Sequence, residues 1–338
     1  MAATDTVQVE YEALRKRCGL VDRSERGKLA LTGAGAVEFL NGQITNELAD
    51  LRAGEGRYAA FLTNKGKMLG DLRILAVGES DGPVTELLLD TERVALQALF
   101  DMIRHYKLGY DVELHKRTVE SGLLSLVGPR CADMVSGAPP AREHAHVQGE
   151  VGGRPTRLIA TAEGVDVLCA APDREAIRTT LVEAGAAPVS EAVAEIVRVE
   201  QGRPRYGVDI DEGTIPQEAG LNERAVSFTK GCYVGQETVA RLHYRGKPNR
   251  HLRGLRFAPP GEAVLAPYGD APSLSPPTHG EELRLGERPV GHVGSIVYSP
   301  RLGTIGLALV RREAAPGDTL AVGEHGVTAT VVELPFAA

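Results

Sequence analysis

The apolar pattern of the chain changes at about Arg250, and this change restricts the available folds more than any other feature of the sequence. Beyond it, Pro259-Pro-Gly261, Pro267, Pro272, Pro276-Pro277 and many glycines separate short apolar runs at 293–297, 305–310 and 327–332. Proline ends helices and cannot donate to the middle of a ladder, so runs this short between such residues are predicted to be strands of a β-barrel or sandwich. Residues 250–338 are expected to form one domain, and residues 1–249 an α+β region before it.

Upstream, the spacing is mixed. Alternation over 27–32 predicts a strand, followed by helical spacing with Val37, Leu40 and Ile44 on one side. The runs 58–63 and 68–77 flank Asn64-Lys-Gly-Lys67, whose Asn and Gly tolerate positive φ, so they are predicted to form a hairpin. A strand at 86–89 leads through Asp90 or Thr91, either a possible N-cap, into a helix carrying Leu96, Leu99, Ile103 and Tyr106 that ends near Lys107 and Gly109. Strands near 123–127, 156–162 and 165–170 precede helices near 172–184 and 190–201, and the Pro-, Gly- and His-rich stretch 139–153 is expected to be an exposed connection. Hairpins mixed with helices indicate α+β lobes rather than a doubly wound parallel sheet.

Composition excludes several classes of function. At 338 residues the chain is long enough for two domains, or three small lobes. Lys and Arg total 38 against 45 Asp and Glu, so the net charge of -7 offers no broad attraction to nucleic acid. No run approaches the ~18 apolar residues of a membrane span, and the first residues lack the basic and apolar regions of a secretory signal, so a cytoplasmic protein is expected, and a monomer. Cys18, Cys131, Cys169 and Cys232 form no CxxC pair and have no metal-ligand spacing. Gly33-Ala-Gly35 lacks the third glycine of a dinucleotide fingerprint.

The segment richest in chemistry is Phe228-Thr-Lys-Gly-Cys-Tyr-Val-Gly-Gln-Glu-Thr238. Cys232 lies between Gly231 and Gly235, with Lys230 two residues before it and a helix predicted to start near Gln236. A nearby ammonium and a helix N-terminus both favour thiolate over thiol, although a small buried cysteine in a Gly-rich turn fits the same spacing. The other three cysteines have no such surroundings and read as core or incidental residues. Glu200 falls in the last turn of a predicted helix, where the dipole disfavours a carboxylate; a ligand's paired N–H donors or a pairing with Arg198, Arg203 or Arg205 would compensate. Asp71 and Arg73 face the same way on their strand and could pair. His243 with Arg241 and Arg245 reads as a solvated face or an anion contact, and His144 with His146 lacks the further ligands of a metal site.

The octapeptide Lys230-Gly-Cys-Tyr-Val-Gly-Gln-Glu237 resembles the YgfZ-type proteins, folate-binding relatives of the glycine cleavage T-protein, an aminomethyltransferase. The resemblance runs through Arg198-Val-Glu-Gln-Gly-Arg-Pro-Arg-Tyr-Gly-Val-Asp209, Ile215-Pro-Gln-Glu-Ala-Gly-Leu221, Leu31-Thr-Gly33, Phe39-Leu-Asn-Gly-Gln-Ile-Thr-Asn46, Phe61-Leu-Thr-Asn-Lys-Gly-Lys-Met68 and Gly294-Ser-Ile-Val-Tyr-Ser-Pro300. It implies the aminomethyltransferase-like fold, with two α+β lobes and a C-terminal β-barrel around a central hole. It also implies tetrahydrofolate as cofactor and a part in assembling or repairing iron–sulphur proteins, including radical enzymes that modify tRNA, with those assembly or client proteins as partners. By the same resemblance Glu200 binds the pterin, with Arg198, Tyr233, Gln236 and Glu237 as further cofactor contacts, and Cys232 is the functional thiol, oriented and activated by Lys230 and the flanking glycines. Asp71 matches one member of an acidic pair that lies beside the folate's reactive nitrogens in aminomethyltransferases; the other position is Gly70 here. The alternative implied is a folate-dependent one-carbon (aminomethyl) transferase or demethylating enzyme.

Overall fold

The computed structural model describes residues 3–79, 82–137, 139–258, 277–324 and 326–337. The chain divides into two compact units, residues 1–194 with 222–240, and residues 195–221 with 241–338.

In chain order the elements begin with α1 (Ala3–Lys16), β1 (Gly19–Asp22), β2 (Gly27–Thr32), α2 (Ala36–Asn41), β3 (Gly56–Leu62), β4 (Met68–Val77) and β5 (Glu86–Thr91). Next come α3 (Leu96–Tyr106), β6 (Glu113–Lys116), β7 (Ser121–Val127), β8 (His146–Val151), β9 (Arg154–Thr161), β10 (Gly164–Ala170), α4 (Arg174–Glu183) and β11 (Ala187–Pro188). Helices α5 (Glu191–Glu200), α6 (Asn222–Ala225) and α7 (Gln236–Arg245) precede the barrel strands.

The first unit holds two sheets. One has the order β3-β4-β5-β2-β6 with every pair antiparallel, and the other the order β11-β1-β7-β10-β9-β8 with β1 and β11 parallel. The predicted hairpin is β3–β4, turning through Asn64-Lys-Gly-Lys67. Leu72, Ile74, Leu87, Leu89, Leu99 and Ile103 are almost fully buried, so α3 covers its sheet with the predicted Leu99 and Ile103, while Tyr106 stays exposed. Arg73 on β4 reaches Asp90 on β5 at 2.7 Å and Asp166 on β10 at 2.6 Å, tying the two sheets together through a buried cation. Losing Arg73 would leave the buried Asp166 carboxylate without the cation it is bonded to and cost about 3–5 kcal/mol.

Four local expectations are corrected. Asp90 and Thr91 do not cap α3: both stay in β5, Asp90 bonded to Arg26 and Arg73, and a single 3₁₀ turn at Arg93–Ala95 precedes the helix. Asp71 and Arg73 do not pair, because Arg73 is taken by Asp90 and Asp166. The stretch 139–153 is not wholly an exposed connection, since β8 lies within it and His146 and Val151 are buried. Helix α2 stops at Asn41, and Ile44, expected on its face, instead bridges to Phe61 of β3.

The second unit is built on β12 (Arg250–Phe257), β13 (Glu282–Leu285), β14 (Arg288–Ser299), β15 (Gly303–Arg311), β16 (Thr319–Val322) and β17 (Val327–Val332). They close in the order β12-β15-β14-β13-β16-β17, with β12 also paired to β17. Closure leaves no free edge, and the interior is filled by Leu255, Val293, Val310, Leu320 and Val331. An α+β region followed by a six-stranded barrel is the expected fold. The prolines at 259, 260, 267, 272 and 276 that mark the change of pattern lie outside the described residues. Among the described residues no helix is long and apolar enough to cross a membrane.

Candidate functional site

Because α2 ends early, the carbonyls that follow it are not spent on helix hydrogen bonds, and Lys230 collects them. Its Nζ donates to Asn41 O (2.6 Å), Asn41 Oδ1 (3.0 Å), Ile44 O (3.0 Å) and Asn46 O (2.6 Å). Burial pushes the Lys230 pKa down to about 8, while four facing oxygens favour the charged form. The backbone of the motif follows the same track, with Ser227 N donating to Thr45 O and Val234 N to Gly42 O. The segments 39–46 and 230–237, distant in sequence, are thus two halves of one structure.

The other side of the motif loop rests on the β3–β4 turn. Gly235 has φ +82°, and a Cβ there would lie 2.5 Å from Thr63 O. Gly66 of the turn has φ +74°, and a Cβ there would lie 2.8 Å from Thr238 Cβ. Each glycine is needed for conformation and for close approach. Gly231, in contrast, has nothing within 4 Å of its Cβ position, and Cys232 beside it is exposed, whereas Cys18, Cys131 and Cys169 are buried.

Of the two roles expected of Lys230, orienting and activating the thiol, the geometry bears on the first: its ammonium is committed to the carbonyl cage and fixes the loop that presents Cys232. Tyr233 is buried with its ring centroid 5.2 Å from Lys230 Nζ, and burial pushes its hydroxyl up to about 12. Gln236 is the first residue of α7 and half-buried; Glu237 is exposed in the first turn, where the helix dipole favours a carboxylate. His243, Arg241 and Arg245 lie exposed toward the other end of α7.

Asp71 sits in a second cluster of the first unit. Tyr58 donates its hydroxyl to Asp71 Oδ2 at 2.6 Å, and burial raises the Asp71 carboxyl to about 6 against the lowering effect of that hydrogen bond. Arg224 lies 5.2 Å over the Tyr58 ring and pairs with Glu143 at 2.8 Å. The His144 ring is 6.4 Å from that of Tyr58, and burial together with Arg73 lowers its pKa to about 4, so it is neutral at pH 7. Tyr58 and Arg224 were not singled out from sequence. Tyr58 could have been: Ala60 is the register partner of Asp71, and Tyr58, two residues away, shares its face. At Gly70 a Cβ would meet Phe61 ring atoms at 2.6 Å and Ala95 Cβ at 2.7 Å, so the backbone leaves no room for an acidic side chain beside Asp71.

Glu200 closes α5 in the second unit and is buried. Ser299 Oγ donates to its Oε1 at 2.5 Å, and Arg301 Nη2 stands 3.8 Å from its Oε2. Both come from the end of β14 and the turn after it, so the compensation expected for a carboxylate at a helix C-terminus includes barrel residues that the sequence reading did not pair with Glu200. Arg198 is nearly buried and bonded to Glu195, Asp209, Ser295 Oγ and the Arg203 carbonyl, so its place is architectural.

Among the described residues no group of three or more His, Cys, Asp or Glu could hold a metal ion. His146 is buried, faces Arg157 at 2.9 Å and has its pKa lowered to about 4 by burial.

Comparison with known proteins agrees with this architecture. The family model described as the GCVT N-terminal domain matches residues 1–230, and that of the glycine cleavage T-protein C-terminal barrel domain matches residues 268–337. The aminomethyltransferase of Rubrobacter xylanophilus is 29% identical over 340 residues, which cover 98% of this chain and 86% of that protein. That of Geobacillus kaustophilus is 29% identical over 351 residues, covering 98% and 90%. Among solved structures, the glycine cleavage system aminomethyltransferase T from Bartonella henselae shares the fold with a TM-score of 0.81 at 22% identity, covering 98% of this chain and 89% of its own. Matched over most of its length by the first of these models, and by the second in its barrel, the chain belongs to the glycine cleavage T-protein (GCVT) family.

Proposed function

We propose that the chain is a tetrahydrofolate-binding protein that acts through Cys232 as an accessory in assembling or repairing iron–sulphur clusters, as the YgfZ-type branch of its family does. The observation that carries this reading is the exposed Cys232 thiol on a loop anchored at one end by the Lys230 cage and at the other by Gly235 on the β3–β4 turn. A thiol held on a fixed backbone and open to solvent is suited to meeting a partner's sulphur or metal. The cluster itself is cargo, since one cysteine cannot supply the thiolates that a cluster takes.

The family acts with tetrahydrofolate, and the residues here fit that ligand. A pterin offers an amino group and a ring N–H as parallel donors, for which a buried, oriented carboxylate such as Glu200 is the matching acceptor. Asp71, its carboxyl raised to about 6 by burial, is able to hold or release a proton near neutral pH.

A second reading, folate-dependent one-carbon (aminomethyl) transfer or demethylation, has the direct support of the relatives' names, which favour it over the iron–sulphur role. The titratable Asp71 also supports it, and the absence of space at Gly70 for a second acid weighs against it. Incubating the purified protein with tetrahydrofolate and an aminomethyl-carrying protein or a methylated amine, and following methylene-tetrahydrofolate or formaldehyde, separates the two. Turnover within a few-fold of a true aminomethyltransferase would establish the second reading. Absence of turnover, with Cys232-dependent support of an iron–sulphur enzyme in cells, is the result expected here.

A further inference from the structure

We propose that Ser299 is a positioning residue for the pterin carboxylate: its hydroxyl sets the orientation of Glu200, so that the barrel segment 294–299 governs how well the protein distinguishes a pterin's N–H edge. The proposal deepens the folate reading and rests on Glu200 being the pterin acceptor.

The direction of the Ser299 proton follows from its partners. Ser299 is fully buried at the end of β14. Its Oγ accepts from Arg301 N and Leu302 N, both at 3.1 Å. A serine hydroxyl has two acceptor lone pairs and one hydrogen, so with both lone pairs engaged the hydrogen goes to Glu200 Oε1. Rotation of the hydroxyl away from Glu200 would break one of the turn's hydrogen bonds. The carboxylate is therefore gripped at Oε1 by a donor with a fixed direction, and Arg301 of the same turn offsets the negative end of α5.

The same strand secures the rest of that helix end. Ser295, four residues earlier at the bulge of β14 against β15, accepts from Arg198 Nη2 and donates its backbone N–H to Asp209 Oδ1 at 2.7 Å. Asp209 in turn takes Arg198 Nη1 at 2.9 Å. At Gly294 a Cβ would lie 2.7 Å from Asp209 Oδ1 and 2.9 Å from Leu307 O, which accounts for the glycine that opens the segment. Because Arg198 and Asp209 hold the backbone independently, removing the Ser299 hydroxyl should release the carboxylate's orientation more than the helix.

The test uses the full-length protein and two probes, tetrahydrofolate and a reduced folate analogue lacking the pterin 2-amino group, with Kd measured by calorimetry. Ser299→Ala is expected to weaken tetrahydrofolate binding about tenfold, the scale of one hydrogen bond to a charged group, with little change for the analogue, so the preference between them narrows. Ser299→Thr, which keeps the hydroxyl, should stay within about threefold of the wild type and decides the matter if the alanine variant folds poorly. A purely structural serine would lower both affinities together. If Glu200→Gln leaves tetrahydrofolate binding unchanged, the pterin assignment fails and the proposal with it. If Glu200→Gln weakens binding while Ser299→Ala retains the full preference, or if a folded Ser299→Thr loses it, the assignment of Glu200 stands and the positioning role is overturned.

Discussion

Glu200 and Asp71 are both buried carboxylates, yet their surroundings prepare them for different work. Glu200 has a directed donor in Ser299, and replacing it by Gln would turn a donor toward the pterin's own N–H groups; tetrahydrofolate affinity by calorimetry should fall by about 1.5 to 3 kcal/mol. Asp71 is raised to about 6, so between the ordinary carboxylate range and that value the folded protein binds a proton that the unfolded chain releases. Its contribution to stability therefore falls as pH rises from about 4 to about 6 and is level above. The difference in urea unfolding free energy between wild type and Asp71→Asn should change in that direction over that range, by up to about 2 to 3 kcal/mol; a flat difference would show an ordinary carboxyl. Tyr58→Phe removes a hydrogen bond that favours the ionised form, so carbon NMR should find the Asp71 pKa higher than in the wild type.

At the scale of elements, the motif loop stands on two supports that can be removed separately. Lys230→Met leaves the Asn41, Ile44 and Asn46 oxygens without their ammonium and should lower stability by about 2 to 4 kcal/mol, with faster amide exchange across 227–235. Gly235→Ala forces a Cβ to 2.5 Å from Thr63 O at positive φ and should cost about 1 to 3 kcal/mol, whereas Gly231→Ala, with open space around it, should be within about 0.5 kcal/mol of wild type by thermal denaturation. The β3–β4 hairpin was legible in the sequence because its period and its Asn-Lys-Gly turn are local signals. Barrel strands were legible for a similar reason, with apolar runs too short for helices. The early end of α2 was not, because the helical spacing of Val37, Leu40 and Ile44 continues past it, and only Phe61 and Lys230, brought in from elsewhere, hold that segment in another conformation. Lys230 itself was found by its motif, but the oxygens that hold it were not: they lie 184 to 189 residues away, a separation that no periodicity reports. The same distance problem hid Ser299 from Glu200, 99 residues earlier.

For the whole molecule, the residues to which the proposed function assigns roles fall in both units of the family fold. The carboxylate Glu200 belongs to the unit that contains the barrel, and the anchored thiol loop and Asp71 belong to the unit built on two sheets. The aminomethyltransferase relatives share the fold across 98% of this chain, so the fold alone does not choose between transfer chemistry and an accessory role. The choice falls on Cys232, because an exposed thiol on an anchored loop contributes little packing. Cys232→Ser should melt within about a degree or two of wild type and bind tetrahydrofolate with unchanged affinity.

The most direct measurement is the activity of an iron–sulphur enzyme in cells that lack the native protein and carry either the wild-type chain or Cys232→Ser at equal abundance. Wild-type restoration together with failure of the folded, folate-binding serine variant is the expected result. Equal restoration by both would contradict a functional Cys232, and failure of both would contradict the iron–sulphur role itself.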